Sequence, residues 1–135
     1  MNNELKPTGK LVIQIVAMPK DTNANGDIFG GWVVSHMDMG AGIAARREAR
    51  CRVVTVAIDQ LVFIRPVSVG DILCCYAEIL KIGNTSIRIK MEVWTISPSD
   101  ESPKKAVEGI FTFVAINNEG KPQPVKRSSH LEDNQ

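Results

Sequence analysis

The sequence predicts an α+β domain in which an antiparallel sheet curls around one long helix. Three observations support this class: a strand-like run near the N-terminus, one helical stripe of apolar residues, and four further strand-like runs. With 135 residues, 44% of them hydrophobic, the chain is long enough for one core and too short for two ordinary domains. We expect one domain over residues 1–118 and a polar, flexible tail over residues 119–135.

The first buried strand is expected from Leu11 to Met18, because this run is nearly all apolar and rich in β-branched residues. The helix is expected from Gly30 to about Arg47, where apolar residues recur at three- and four-residue spacing. Its second half, over residues 40–45, consists mainly of small residues. Glycine is unfavourable inside a helix, so this composition predicts close approach of a neighbouring backbone.

Four more strands are expected, separated by turn-forming residues and connected as antiparallel hairpins. They cover Val53 to Ile64, Ile72 to Ile82, Thr85 to Ile96 and Lys105 to Ile116. In the third of these runs apolar residues alternate with Arg88, Lys90 and Glu92, which predicts one dry and one wet face. The last run carries apolar residues on both faces, which predicts a subunit interface.

Charge and cysteine content exclude several classes of function. Sixteen basic and fifteen acidic residues give a net charge of +1, so no overall field favours nucleic acid or an anionic membrane as partner. The three cysteines are odd in number and two are adjacent, which argues against a disulfide framework and favours the cytoplasm. No run approaches the length of a membrane span, and two histidines do not make a metal cluster.

The most informative segment runs from Asp21 to Trp32, because it sets a carboxylate, Asp27, on a tight turn before a helix that begins with two glycines. Helix starts leave backbone N–H groups without partners and are partly positive, so a carbonyl oxygen can be polarised there. Asp27 has a second interpretation as an ordinary helix N-cap. Spacing alone does not separate these two roles.

Three pieces of the sequence resemble the hotdog superfamily, in particular its YciA-type acyl-CoA thioesterases. The resemblance covers roughly residues 11 to 117 and is carried by residues 23–32 (NANGDIFGGW), 54–57 with 63–71, and, more weakly, 81–87. It implies the hotdog fold, a dimer with a continuous sheet, a trimer of such dimers, and active sites between subunits. It also implies hydrolysis of acyl-CoA thioesters by Asp27.

The residues suggest how such a reaction would proceed. An ionised Asp27 can activate water or attack the thioester directly, and these two routes stay open. The backbone N–H of Gly31, with Gly30, would face the thioester oxygen. Asn25, or Thr55 and Gln60 from a partner subunit, would hold the water. The resemblance implies no metal or cofactor beyond the CoA that is part of the substrate.

Coenzyme A carries phosphates, which require cationic or N–H donors. The resemblance points to Arg65 and to the turn residues Asn84, Thr85 and Ser86, with Phe29 as a further substrate contact. The arginines at positions 46, 47, 50 and 52 are interpreted mainly as partners of the negative helix C-terminus.

Two other functions remain open at this stage. A non-catalytic acyl-CoA binding or sensing module could use the same fold, although binding alone would not need Asp27. A hotdog dehydratase would want a histidine beside a carboxylate, whereas His36 is mid-helix and His130 is in the tail.

Overall fold

The structure is a computed structural model that describes residues 6–125. It contains a five-stranded antiparallel sheet and a helix, α1, at Gly30–Ala49, preceded by a 3-10 turn at Pro19–Asp21. The strands are β1 (Lys10–Val16), β2 (Arg52–Phe63), β3 (Ile72–Ile82), β4 (Ser86–Ser97) and β5 (Asp100–Ile116). None of the helices in this part of the chain is long and apolar enough to cross a membrane. The predicted α+β class is confirmed.

The strands lie in the order β1-β3-β4-β5-β2, so β1 and β2 form the two edges of the sheet. β3, β4 and β5 form consecutive hairpins, as expected. The expected hairpin between β2 and β3 is wrong, because β2 pairs with β5 and residues 64–71 carry the chain across to β3. This order leaves the backbone of β2 open along one side.

The core lies between α1 and one face of the sheet. Met37, Ala41 and Ala45 on the helix are completely buried. The sheet contributes the apolar set of β4 that the alternation predicted, and these four residues are also completely buried: Ile87, Ile89, Met91 and Val93. The apolar face of β4 therefore packs against the apolar stripe of α1, as the alternation in the strand and the spacing in the helix predict.

Gly40 explains why small residues occupy the second half of the helix. A Cβ atom at Gly40 would lie 2.9 Å from Cγ2 of Val12 and 3.2 Å from Cε of Met91. Both distances are too short for normal packing, so only glycine lets α1 approach the sheet this closely at that point. At Gly42 the nearest atom would be Cε2 of Phe113 at 3.6 Å, an ordinary contact.

β1 is not the buried strand that its composition suggested. Leu11 and Val16 are each nearly half exposed, because β1 is an edge strand that pairs only with β3. Apolar runs indicate a strand, but they do not distinguish a strand covered on both faces from one that awaits a partner.

Glu92 also departs from the expectation of a wet outer face on β4, since it is only 3% exposed. Burial raises the pKa of its carboxyl, but hydrogen bonds from Trp94 and Thr8 and the charge of Lys105 outweigh burial and lower the pKa below its usual value. Trp94 Nε1 donates to Glu92 Oε1 at 2.9 Å, and Thr8 Oγ1 donates to Oε2 at 3.1 Å. The N-terminal segment therefore covers this part of the outer face.

The C-terminal limit of the domain stays a prediction. Residues 121–125 run back along the sheet: Gln123 N donates to Ala115 O at 2.9 Å, and Val125 N donates to Asn84 O at 2.8 Å. The described part of the predicted tail is therefore hydrogen-bonded to the domain. The remainder, residues 126–135 with His130, lies outside the described residues.

The two helix glycines give a matched test of packing. Gly42→Ala should raise the free energy of unfolding by about 0.5–1 kcal/mol, because alanine is the better helix former and space is available. Gly40→Ala should lower it, because its methyl group meets Val12 and Met91. Urea unfolding at one fixed protein concentration measures both; equal effects at the two positions would contradict the close approach at Gly40.

Candidate active site

The loop before α1 is organised by Asn23. Its Oδ1 accepts hydrogen bonds from the backbone N–H of Asn25 at 2.9 Å and of Asp27 at 3.2 Å. The Asn23 N–H in turn donates to Asp27 O at 2.7 Å. Gly26 completes the turn with a φ of +85°, a left-handed conformation that glycine adopts without strain. Asp27 is therefore held on a defined turn.

Two backbone hydrogen bonds attach this loop to the rest of the domain. Ile28 N donates to Val67 O at 3.2 Å, and Phe29 N donates to Asp21 O at 2.9 Å. The Ile28 side chain is buried in the core, between the exposed Asp27 and the exposed Phe29. Burial of Ile28 thus fixes the direction in which its neighbours point.

Asp27 is not the helix cap. The N-cap of α1 is Phe29, which makes no side-chain capping bond. Within residues 6–125, the Asp27 carboxylate has no hydrogen bond or ion pair. The structure thus rules out the N-cap interpretation and leaves an exposed carboxylate without a structural partner.

The amides next to Asp27 are also free. Within the described chain, neither the Gly30 nor the Gly31 N–H donates to an acceptor, whereas the next amide, Trp32 N, donates to Phe29 O at 3.1 Å. Gly31 is exposed, and a Cβ there would meet nothing within 4 Å, so the surface beside this glycine is open. A carboxylate and two unpaired N–H groups therefore face solvent around one helix start, where the helix dipole is positive.

Aromatic and basic groups surround this end of α1. A Cβ at Gly30 would lie 3.5 Å from Cζ of Phe63, at the end of β2, and both Phe63 and Phe29 are about half exposed. Arg65 follows on the same connection as Val67, and its Nε donates to Lys105 O at 3.0 Å. Phe29 and Arg65 therefore lie at the same end of the molecule as Asp27.

Thr55 lies further along the helix and has a partner that the sequence did not reveal. Its Oγ1 donates to Oδ1 of Asp38 at 2.7 Å. Asp38 is eight residues after Gly30, which places this pair about 12 Å along α1 from its start. Asp38 is a charged residue among the mainly apolar residues in the middle of the helix. This is the feature of the sequence that could have indicated the contact with Thr55.

Gln60 sits at an irregularity of β2. Its φ of 52° is left-handed, and the pairing of β2 with β5 shifts register between Asp59 and Val62. Gln60 lines a cavity of about 220 Å³ together with Lys90 and Glu108. The bulge interrupts the regular alternation of β2 between Thr55 and Gln60. The direction of the Gln60 side chain therefore does not follow from a two-residue period.

Asn84, Thr85 and Ser86 lie at the opposite end of the molecule from Asp27. Ala115 N donates to Thr85 O at 2.8 Å, next to the residues of β5 that pair with the start of β2. The start of β2 follows the C-terminus of α1 directly. One protomer therefore does not bring these turn residues together with Asp27.

The C-terminal end of α1 contains a cavity of about 560 Å³ that sequence reasoning did not interpret as a site. Its lining includes Arg46, Arg50, Arg52, Asn117 and Gln123. An adjoining groove of about 550 Å³ shares Arg46 and Arg52 and continues along α1. Four arginines near one helix end were the signal, but only the fold shows that three of them line one cavity.

The other candidate chemical groups have structural roles. All three cysteines are free, and burial, followed by the charge of Cys74, raises the pKa of the Cys75 thiol to about 12. Cys75 therefore stays protonated and is a poor nucleophile. The His36 Nδ1 lies 2.9 Å from Trp32 O, and its ring packs on the Trp32 ring. Residues 6–125 contain no group of His, Cys, Asp and Glu suited to a metal ion.

Removal of the Asn23 side chain tests how the loop is held. Asn23→Ala should speed hydrogen exchange at the amides of Asn25 and Asp27 several-fold, because both lose their acceptor. Asn25→Ala is the matched control, since the structure gives the Asn25 side chain no hydrogen bond within the described residues. Unchanged exchange in Asn23→Ala would contradict the organising role of Asn23.

Comparison with known proteins agrees with this architecture. The sequence profile of the Thioesterase superfamily matches residues 25–101. The acyl-CoA thioester hydrolase YciA of Escherichia coli K12 is 50% identical over 120 residues, which are 87% of this chain and 91% of YciA.

Two solved structures are similar throughout. The hexameric thioesterase y2039 of Yersinia pestis has a TM-score of 0.87 and 49% identity, over 91% of this chain and 100% of that one. HI0827, a hexameric broad-specificity acyl-coenzyme A thioesterase, has a TM-score of 0.87 and 47% identity, over 95% of this chain and 90% of that one. The predicted resemblance is confirmed, and the chain belongs to the hotdog-fold Thioesterase superfamily, among the YciA acyl-CoA thioester hydrolases.

Proposed function

We propose that this protein hydrolyses acyl-CoA thioesters to a free acid and CoA, with Asp27 as the general base or nucleophile. The single observation that carries this proposal is the exposed, unpartnered Asp27 carboxylate beside the unpaired N–H groups of Gly30 and Gly31. Within residues 6–125, neither the carboxylate nor these two amides has a hydrogen-bond partner that would give it a structural role. Its relatives at about 50% identity are acyl-CoA thioester hydrolases.

The chemistry needs only these groups and water. The thioester oxygen accepts from the Gly31 N–H, with Gly30 as the second donor, so the carbonyl carbon becomes more electrophilic. Asp27 takes a proton from water as the water oxygen attacks that carbon, and the C–S bond then breaks to release the CoA thiolate. If Asp27 attacks directly, the C–S bond breaks, CoA leaves as the thiolate, and the resulting acyl–Asp27 anhydride is hydrolysed by water. We assign to Asn25, two residues before Asp27 in the same loop, the role of orienting the water.

The site is completed by a second protomer. β2 is an edge strand of twelve residues whose outward apolar side chains include Val54, Val56, Ile58 and Val62, each at least 40% exposed. An unpaired apolar edge of this length is a template for another strand. Two copies of β2 pairing antiparallel about a twofold axis would make one continuous sheet. The hexameric relatives favour three such dimers.

Antiparallel pairing of β2 with itself has a direct geometric consequence. The end of β2, where Phe63 meets Gly30, comes to lie beside the start of β2 in the partner. Thr55, near the start of β2, then approaches the Asp27 end from the partner side, which supports its assignment to the other subunit's site. Gln60, near the end of β2, lies at the Asp27 end of its own protomer and lines the cavity with Lys90 and Glu108, so its role across the subunit boundary stays a prediction.

The proposal includes no cofactor, because CoA enters as part of the substrate. Phe29 and Phe63 offer apolar surface for an acyl chain or pantetheine arm. A cytoplasmic location is part of the proposal, and three free thiols support it because that compartment is reducing.

Asp27→Asn tests the carboxylate with almost no change in shape. We expect kcat for acyl-CoA hydrolysis to fall about 10²–10⁴-fold, since loss of a general base has effects of this size. Release of free thiol from acetyl-, butyryl- and palmitoyl-CoA measures it. Asp100→Asn removes an exposed carboxylate at the start of β5, outside the segment from Asp21 to Trp32; it is the matched control and should retain full activity.

The same assay separates the competing functions. Turnover by Asp27→Asn equal to that of the unchanged protein would remove Asp27 from the mechanism. Binding of acyl-CoA without hydrolysis by the unchanged protein would establish the alternative, a non-catalytic acyl-CoA binding or sensing module.

Val56→Glu tests the β2 interface. Twofold symmetry places each new carboxylate near its copy, so the dimer should dissociate and hydrolysis should be lost with it. Leu80→Glu, at a similarly exposed apolar position on β3, should retain the dimer. Light scattering after size exclusion measures the mass; an intact, active Val56→Glu dimer would contradict pairing through β2.

A further inference from the structure

Two cavities at the C-terminal half of α1 form one continuous surface. Arg46 and Arg52 line both of them. The first cavity continues past Arg50 and Cys51 to the polar side chains of Asn117, Asn118 and Gln123. The second is mostly apolar and is lined by Met39, Gly42, Ile43 and Val53. We call the first the arginine pocket and the second the apolar groove.

The arginine pocket has the chemistry of a phosphate site. Among residues 6–125, no acidic side chain lines either cavity. The side chains of Arg46 and Arg52 make no hydrogen bond or ion pair with any described residue, whereas each of the ion pairs in this part of the chain uses a lysine. Guanidinium groups bind phosphate oxygens in a bidentate manner, and amide side chains add further donors.

A favourable interaction with the negative C-terminus of α1 does not by itself explain why these arginines line one cavity. Arg47 occupies the same last turn of α1 and would serve that purpose equally well. Arg47 lines a different cavity, together with Glu48, Lys10 and Glu78, where acidic groups balance its charge. Among the described residues, the side of α1 that faces β2 combines a concave surface with two arginines, Arg46 and Arg52, that have no acidic neighbour in its lining.

We propose that the arginine pocket binds the phosphate groups of the acyl-CoA substrate. This inference rests on the proposed hydrolysis of acyl-CoA and assigns Arg46 and Arg52 to substrate binding. An anionic nucleotide head matches the guanidinium and amide groups that line this pocket.

The phosphates bound here belong to a thioester that reacts at the partner's Asp27. Within one protomer, the arginine pocket and Asp27 lie at opposite ends of a twenty-residue helix, about 30 Å apart. Antiparallel pairing through β2 brings the start of one β2 beside the end of the other. The arginine pocket of one protomer then lies at the same end of the dimer as the partner's helix start.

Substrates with and without phosphates test this assignment. Arg46→Gln and Arg52→Gln should each lower kcat/KM for butyryl-CoA about tenfold or more, mainly through KM, because a charge-assisted phosphate contact is lost. The same variants should hydrolyse S-butyryl-pantetheine as fast as the unchanged protein does. Arg47→Gln is the matched control and should leave both substrates unaffected.

The outcomes separate the two proposals. Equal losses on both substrates, or no loss on butyryl-CoA, would overturn the phosphate assignment while hydrolysis itself stands. Adenosine 3′,5′-bisphosphate should inhibit competitively against butyryl-CoA; noncompetitive inhibition would assign the pocket to a free nucleotide and overturn its role in substrate binding.

Labelling of a cysteine tests ligand binding in the arginine pocket even if the protein hydrolyses no acyl-CoA. Cys51 lines the pocket and is half-buried, whereas Cys74 and Cys75 are buried, so iodoacetamide should label Cys51 first. Adenosine 3′,5′-bisphosphate should slow this labelling in the unchanged protein and in Arg47→Gln, but not in the Arg46→Gln, Arg52→Gln double variant. If the bisphosphate does not change the labelling rate of Cys51, the proposed binding of phosphates in the arginine pocket is contradicted.

Discussion

The length of α1 determines which functional groups one protomer can bring together. A helix of twenty residues is about 30 Å long, and it separates the free amides at Gly30 and Gly31 from the arginine pocket at its other end. The cavity lined by Arg46, Arg50 and Arg52 and the Asp27 carboxylate therefore lie at opposite ends of one protomer. In our proposal, the chain supplies two complementary half-sites, which a second copy brings together.

β2 is the element that connects these half-sites. It starts at the arginine pocket, ends at Phe63 beside Gly30, and lies at the edge of the sheet with apolar side chains exposed along its length. An edge strand of this kind is a hazard in a monomer and a dimerisation surface in an oligomer. Because the strand runs the full length of α1, self-pairing aligns opposite ends of two helices.

Local patterns predicted the elements, and long-range packing decided the rest. The spacing of Met37, Ala41 and Ala45 and the alternation on β4 depend only on neighbours in sequence, so they identified the helix and its facing strand. Strand order, burial of Glu92 and exposure of β1 depend on which segments meet in space, and no periodicity encodes that. For the site, a motif indicated Asp27, but the contact between Asp38 and Thr55 and the grouping of Arg46 with Arg52 emerged only from the fold.

Mixing of inactive subunits tests most directly whether each site is shared between protomers. At butyryl-CoA concentrations far below KM, Asp27→Asn chains and Arg46→Gln, Arg52→Gln chains should each be nearly inactive alone. In a mixed dimer, one site receives the intact Asp27 and the intact arginine pocket, while the other site has neither. We predict that refolding the two variants together restores about a quarter of normal activity, since half of the dimers are mixed and each has one working site. Activity no higher than the sum of the separate variants would contradict a shared site.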